Sequence, residues 1–241
     1  MQDKPVALVT GSSSGIGAAV ARKLGTGMRV VVNSARSAEA GNALARELPD
    51  ATYVQADVAD PEQATALVSE TVARYGRLDV LVNNAGTTQL VPHDDFAAVT
   101  PQMWQEILGV NIVGTWFVTV AAIPHLREAG GGSIVNISSI AGSRVAGSCI
   151  PYAVSKAGLS HLTRLLAASV GPQIRVNAVA PGLIDTPWTA GFGHIREQVE
   201  QHVPLRRIGT PEDVAGLVSA LIEARYTTGE VVLADGGAHL A

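Results

Sequence analysis

Short apolar runs rich in β-branched residues alternate with longer stretches of helical spacing along the whole 241-residue chain. Val6-Ala7-Leu8-Val9 precedes a helical stretch over 15–24, and Val30-Val31-Val32 precedes 38–48. Tyr53-Val54 precedes 61–75, and Val80-Leu81-Val82 leads through a polar loop into 101–127. Runs at 134–137, 174–179 and 231–233 bring the expected count to seven strands, with a further helical stretch over 152–169. Strands that are apolar throughout, rather than alternating, are buried on both faces. Spaced by helices, they predict a doubly wound α/β fold, a parallel sheet with helices on both faces. No repeat, low-complexity stretch or linker interrupts the pattern, so one domain over 1–241 is expected.

Composition narrows the partners. The chain is 47% hydrophobic and 16% charged, carries a net charge of −4, and contains no Lys/Arg run. That argues against nucleic acid or an anionic membrane surface as a partner. The single cysteine, Cys149, excludes an intrachain disulfide and a CxxC metal site, and fits a reducing compartment. An apolar run begins at Val6 with no signal peptide before it, and the longest weakly polar stretch, 112–124, falls short of the ~20 residues of a spanning helix. A cytoplasmic protein is expected.

After the first strand comes Thr10-Gly11-Ser12-Ser13-Ser14-Gly15-Ile16-Gly17. Glycines at this spacing let backbone approach a pyrophosphate, and the following helix offers free N–H groups and its positive dipole end. Ser12, Ser13 and Ser14 add hydroxyl donors. The position between first strand and first helix makes this a dinucleotide-binding turn of a Rossmann-type fold. Its spacing is GxxxGxG rather than GxGxxG.

This turn resembles that of the short-chain dehydrogenase/reductase family, in its classical branch. The matching stretches that follow are Asn83-Asn84-Ala85-Gly86, Asn111, Ser139, Tyr152-Ala153-Val154-Ser155-Lys156, Pro181-Gly182 and Asp235-Gly236-Gly237. The resemblance covers essentially the whole chain and extends to 3-oxoacyl-[acyl-carrier-protein] reductase-like members. It implies a nicotinamide-dependent oxidoreductase with Asn111, Ser139, Tyr152 and Lys156 as the catalytic set. Tyr152 would act as general acid in reduction and general base in oxidation, and Ser139 would hydrogen-bond the substrate oxygen. Lys156 would lower the Tyr152 pKa and hold the nicotinamide ribose, and Asn111 would hold a water in a proton relay. The resemblance also gives Asn83, Ala85 and Gly86, the adenine-contacting pair Asp57-Val58, and Pro181, Gly182, Ile184 and Thr186 to the cofactor site.

The residues themselves support part of this chemistry. An ordinary tyrosine, pKa about 10, is a poor base near neutral pH. Tyr152 and Lys156 stand four apart on one helix face. A positive charge ~4 Å away at an effective dielectric of ~20 is worth about 4 kcal/mol, or roughly three pKa units. The other tyrosines have Asp57, Asp79 and Glu230 at that spacing. Ser138 and Ser139 point to opposite sides of a continuing strand, so only one can face the site.

The second strand ends Val32-Asn33-Ser34-Ala35-Arg36-Ser37. An acid here would accept the ribose hydroxyls of NAD; none is present, and Arg36 with Ser37 can pair with a 2′-phosphate. NADP(H) is therefore favoured over NAD(H). Cys149 reads as a small pocket wall, and the six histidines show no ligand spacing, so no metal is expected. The 185–210 region reads as a substrate loop in which Trp188 and Phe192 are either a lid or core anchors. The expected activity is interconversion of a ketone and a secondary alcohol in a small carbonyl compound. A 3-oxoacyl-[acyl-carrier-protein] reductase is the alternative, and a silent dinucleotide-binding regulatory protein is disfavoured. Apolar residues on more than one face of 101–127 and 152–169 predict a homotetramer, with a dimer as fallback.

Overall fold

In the computed structural model, which describes residues 4–240, every expected apolar run is a strand. They are β1 (Val6–Val9), β2 (Arg29–Ser34), β3 (Ala51–Gln55), β4 (Val80–Asn83), β5 (Gly132–Ile137), β6 (Ile174–Pro181) and β7 (Val231–Ala234). All pairings are parallel, in the order β3-β2-β1-β4-β5-β6-β7. The helices are α1 (Gly15–Gly25), α2 (Ala38–Glu47), α3 (Pro61–Tyr75), α4 (Pro101–Leu108), α5 (Thr115–Glu128), α6 (Ile150–Val170), α7 (Gly193–His202) and α8 (Pro211–Glu223).

Two apolar clusters explain why the strands read as unbroken runs. Ala7, Val9, Val30, Val32 and Val82 face α1, α2 and α8. Their neighbours Leu8, Val31 and Leu81 face α3, α5 and α6. Helix ends follow local rules. Asp60 caps α3 by accepting from the N–H groups of Glu62 and Gln63, and Gly76, with φ of 78°, ends it.

The structure departs from expectation in three places. The expected single helix over 101–127 contains a π-helical turn, Gly109–Gly114, between α4 and α5. The unbroken run, 101–128, is long and apolar enough to cross a membrane, unlike the shorter 112–124 stretch weighed from sequence. Val118, Ala122 and Leu126 nonetheless lie wholly buried in the cluster under the sheet. Helix α8 had no counterpart in the strand-helix pattern, yet it carries a capping box in which Thr210 and Asp213 exchange bonds. Its Val214, Ala215 and Val218 join the α1 side of the core.

Because all strands run one way, the segments after β1, β2, β4, β5 and β6 emerge along one sheet edge. The order reverses between β1 and β4, which opens a crevice there.

Candidate active site

A cavity of about 1690 Å³ opens at that edge. It exceeds the roughly 300–1,000 Å³ of an ordinary small-molecule pocket, leaving room for a dinucleotide and a second ligand.

The Gly-rich turn forms one end. Gly11 (φ 60°) and Gly15 (φ 54°) adopt left-handed backbone. A Cβ on Gly11 would stand 2.7 Å from Ala85 Cα, and one on Gly17 would stand 2.5 Å from Asn84 Nδ2. Both glycines therefore let the turn press against the segment after β4. Thr10 Oγ1 secures the same contact by accepting from Asn84 N and Ala85 N at 3.0 and 3.1 Å. Ser14 stands exposed at the α1 N-cap and its side chain makes no capping bond. The first-turn N–H groups of Gly15, Ile16 and Gly17 thus meet a cavity at the positive end of a helix, a donor set that suits a pyrophosphate.

Two of the expected serine donors are not available. Ser12 is wholly buried, donating to Val9 O at 2.7 Å and accepting from Asn33 N at 3.0 Å. Ser13 is half-buried and does not line the cavity. Only Ser14 keeps the expected place.

Beyond β2, Arg36 and Ser37 line the cavity. Arg36 is exposed, and no ion pair or hydrogen bond engages its guanidinium among the described residues. Asn33 was not singled out as a site residue, yet it organises this corner. Its Oδ1 accepts from Gly11 N, and its Nδ2 donates to Val54 O and Ala56 O. Asp57 and Val58 complete the wall.

Asn83 does not belong to the cavity. It is buried in the sheet and donates to Thr119 Oγ1 and Asn136 Oδ1, because the last residue of β4 points into the core beneath α5. Its neighbours Asn84, Ala85 and Gly86 line the cavity instead. Asn84 Nδ2 donates to the carbonyls of Thr10 and Gly11.

Ser139, Tyr152 and Lys156 come together in the same cavity. The end of β5 alternates as expected: Ser138 Oγ turns away to donate to Lys156 O and pair with Ser160, leaving Ser139 facing the cavity. A Cβ on Gly142 would stand 2.6 Å from Lys156 C, so this glycine lets α6 approach the turn that follows Ser139.

Lys156 is 3% exposed, and its Nζ donates to Ile137 O at 2.8 Å. That Nζ lies 5.6 Å from the centre of the Tyr152 ring. Burial pushes Tyr152 up to about 12, with Ser139 beside it pulling the other way, and pushes Lys156 down to about 8. The expected three-unit lowering of Tyr152 by Lys156 is therefore not met. Withdrawal from water is the dominant influence on both groups, and at neutral pH Tyr152 holds its proton while Lys156 stays charged.

Asn111 sits behind this group on the π-helical turn, wholly buried and outside the cavity lining. Its Oδ1 accepts from Thr87 N, and its Nδ2 donates to Thr87 O and to Ser155 Oγ on α6. Its side chain is a strut between the β4 segment and α6, with no amide donor left over for the relay water expected of it.

Pro181, Gly182, Ile184 and Thr186 line the cavity after β6. Helix α7 and the turn Pro187–Thr189 make up half of the expected substrate loop, whose base closes through a bridge of Ile184 to Gly209. Trp188 meets the Tyr152 ring edge-on at 6.4 Å and, like Phe192, faces the cavity, so of the two readings the lid fits. Cys149 is buried beside Tyr152, Met103 and Ile107 and does not reach the cavity. No group of three or more His, Cys, Asp or Glu side chains is arranged to hold a metal among the described residues.

A short-chain dehydrogenase/reductase family model, described as enoyl-(acyl carrier protein) reductase, matches residues 11–239. The chain belongs to the short-chain dehydrogenase/reductase family. It is 63% identical, over 99% of its length and 97% of the relative's, to a protein named ketoacyl reductase 2 of the granaticin polyketide synthase from Streptomyces violaceoruber. It is 38% identical to a 3-oxoacyl-[acyl-carrier-protein] reductase from Synechocystis, over 96% of each chain. A crystal structure titled as a short-chain dehydrogenase/reductase from Burkholderia xenovorans superposes with a TM-score of 0.93, at 34% identity over the whole of both chains. The protein is an oxidoreductase of this family, and a nicotinamide dinucleotide is the cofactor the family implies.

Proposed function

We propose that the protein reduces a ketone of a ketoacyl compound to the secondary alcohol, with NADPH as hydride source. The observation that carries this reading is the grouping of Ser139, Tyr152 and Lys156 in the cavity that also receives the Gly-rich turn. The names of the ketoacyl reductase relatives support it. At neutral pH the buried phenol holds its proton, the form in which Tyr152 acts as the donor when a ketone is reduced.

The Ser14–Gly17 turn would hold the pyrophosphate, Asp57 and Val58 the adenine end, and Pro181 to Thr186 the nicotinamide end. A nicotinamide held there would supply the hydride that the carbonyl carbon accepts. Ser139 donates a hydrogen bond to the carbonyl oxygen, and Tyr152 gives that oxygen its phenolic proton as negative charge develops. Lys156, still charged below about 8, stabilises the phenolate left behind until solvent returns the proton. Trp188 and Phe192 cover the reacting oxygen from water. Arg36, exposed and unpaired at the end of β2, supplies the bidentate partner for a 2′-phosphate.

Assembly into a homotetramer completes the reading. Val113, Trp116 and Val120 on the α5 side, and Val154 and Leu165 on α6, leave 40–54% of each residue exposed. A second chain would bury these faces.

The test is a panel of 3-oxoacyl thioesters, free and carrier-bound, beside simple ketones, each with NADPH and NADH and followed by nicotinamide absorbance. Consumption of NADPH with at least one 3-oxo substrate is expected. No oxidation of either nicotinamide across the panel refutes the reading.

A further inference from the structure

One imidazole nitrogen in the cavity wall lacks a hydrogen-bond partner among the described residues. His93 lies on the segment after β4 and lines the same cavity as Ser139 and Tyr152, while its Nε2 is buried and makes no hydrogen bond. Buried polar atoms are nearly always paired, so an unpaired ring nitrogen in a ligand cavity marks a group whose partner arrives with the ligand.

Its surroundings support that reading. Val91 N donates to Ser148 O at 2.8 Å, and the Thr88 and Ser148 hydroxyls pair with each other, tying the His93 segment to the one entering α6. Thr88 and Ser148 also line the cavity. An exposed stretch lies beside Nε2. A Cβ added to Gly147 would stand 3.9 Å from it, Gly147 has φ of 141°, and residues 145–147 are exposed. Trp188, at the edge of the Tyr152 ring, with Phe192 and Val199, supplies apolar surface to the same cavity.

We propose that His93, backed by Thr88 and Ser148, is a specificity-determining residue that takes up a second oxygen of the substrate, distinct from the one being reduced. The enzyme then prefers a dicarbonyl compound over a simple ketone of equal size. This rests on the ketone-reduction reading above. An imidazole both donates and accepts, so a carbonyl or a hydroxyl satisfies it. A site built around a buried hydrogen-bonding group rejects the analogue lacking the matching atom, because the group stays unpaired.

The experiment compares benzoylacetone with benzylacetone, which has a methylene in place of the second carbonyl. Parent, His93→Phe and His93→Gln are assayed with both cofactors, and benzoylacetone binding to each is measured by calorimetry. In the parent, benzoylacetone is the better substrate. His93→Phe raises its KM by about tenfold, the scale of one lost hydrogen bond, with kcat within about twofold and benzylacetone kinetics unchanged. His93→Gln, which keeps a donor and an acceptor, recovers most of the loss. Equal effects on both ketones, or none on either, overturn the proposal. If the parent turns over neither of these ketones nor any member of the 3-oxoacyl panel, the ketone reading fails instead. The calorimetric comparison of parent with His93→Phe then decides the role of His93, and equal affinities overturn it.

Discussion

Lys156→Met isolates the energetic consequence of burying a cation under the active site. The side chain is 3% exposed, and its Nζ donates to the Ile137 carbonyl. Burial lowers its pKa from 10.5 to about 8, which is ~3 kcal/mol in favour of the neutral form. Between those values the unfolded chain binds a proton that the folded chain does not, so stability rises with pH across this window by about 1.4 kcal/mol per unit. The contribution is fully present above 10.5 and is lost as pH falls through 8. Methionine has similar length and no charge, so the variant lacks this slope. Below pH 8 it escapes the cost of the buried cation but leaves the Ile137 carbonyl unpaired, two effects of similar size. Thermal melts of parent and variant without cofactor, from pH 7 to pH 10, read the difference directly. The range stops short of the Tyr152 titration, where the sign reverses because that pKa is raised. The parent should gain ~2 kcal/mol on the variant between pH 8 and 10, or roughly 4–8 °C in Tm for a chain this long. Parallel curves would show that Lys156 is not held in the low-dielectric setting the structure describes.

Tyr152→Phe should keep the fold and cofactor affinity while lowering kcat by ~10²–10⁴-fold, through loss of the proton donor; turnover within a few-fold of the parent on any accepted ketone rejects the assignment. Arg36→Ala should weaken NADPH by ~1.5–3 kcal/mol and leave NADH nearly unchanged, as measured by fluorescence titration; equal losses for both cofactors contradict the 2′-phosphate role. Trp116→Glu puts a charge on the exposed apolar face beside Val113 and Val120. Light scattering should find a tetramer in the parent and smaller species in the variant, and a monomeric parent removes the premise.

The sheet was legible because its determinants are local. Each β-branched run is buried on both faces, and that requirement is written into the strand itself. The Gly-rich turn and the Tyr152–Lys156 spacing were equally plain, since a turn and one helical turn are short-range geometry. Helix α8 passed unread although its capping box is a local signal, because no strand run flags its start.

What the sequence could not supply is which way a polar residue turns once several segments converge. Ser12, Ser13 and Ser14 are chemically alike, yet only Ser14 reaches the cavity. Asn83 and Asn84 are adjacent, yet one is locked in the core by Thr119 and Asn136 and the other pins the turn to the β4 segment. Asn111 spends its amide on Thr87 and Ser155, partners distant in the chain. The acid–base setting of Tyr152 and Lys156 was likewise decided by tertiary structure. Spacing fixes that the two share a helix face, but the solvent excluded by β5, the segment after β4 and Trp188 fixes their pKa values. Desolvation is a property of everything packed around a group, and no spacing within one helix encodes it.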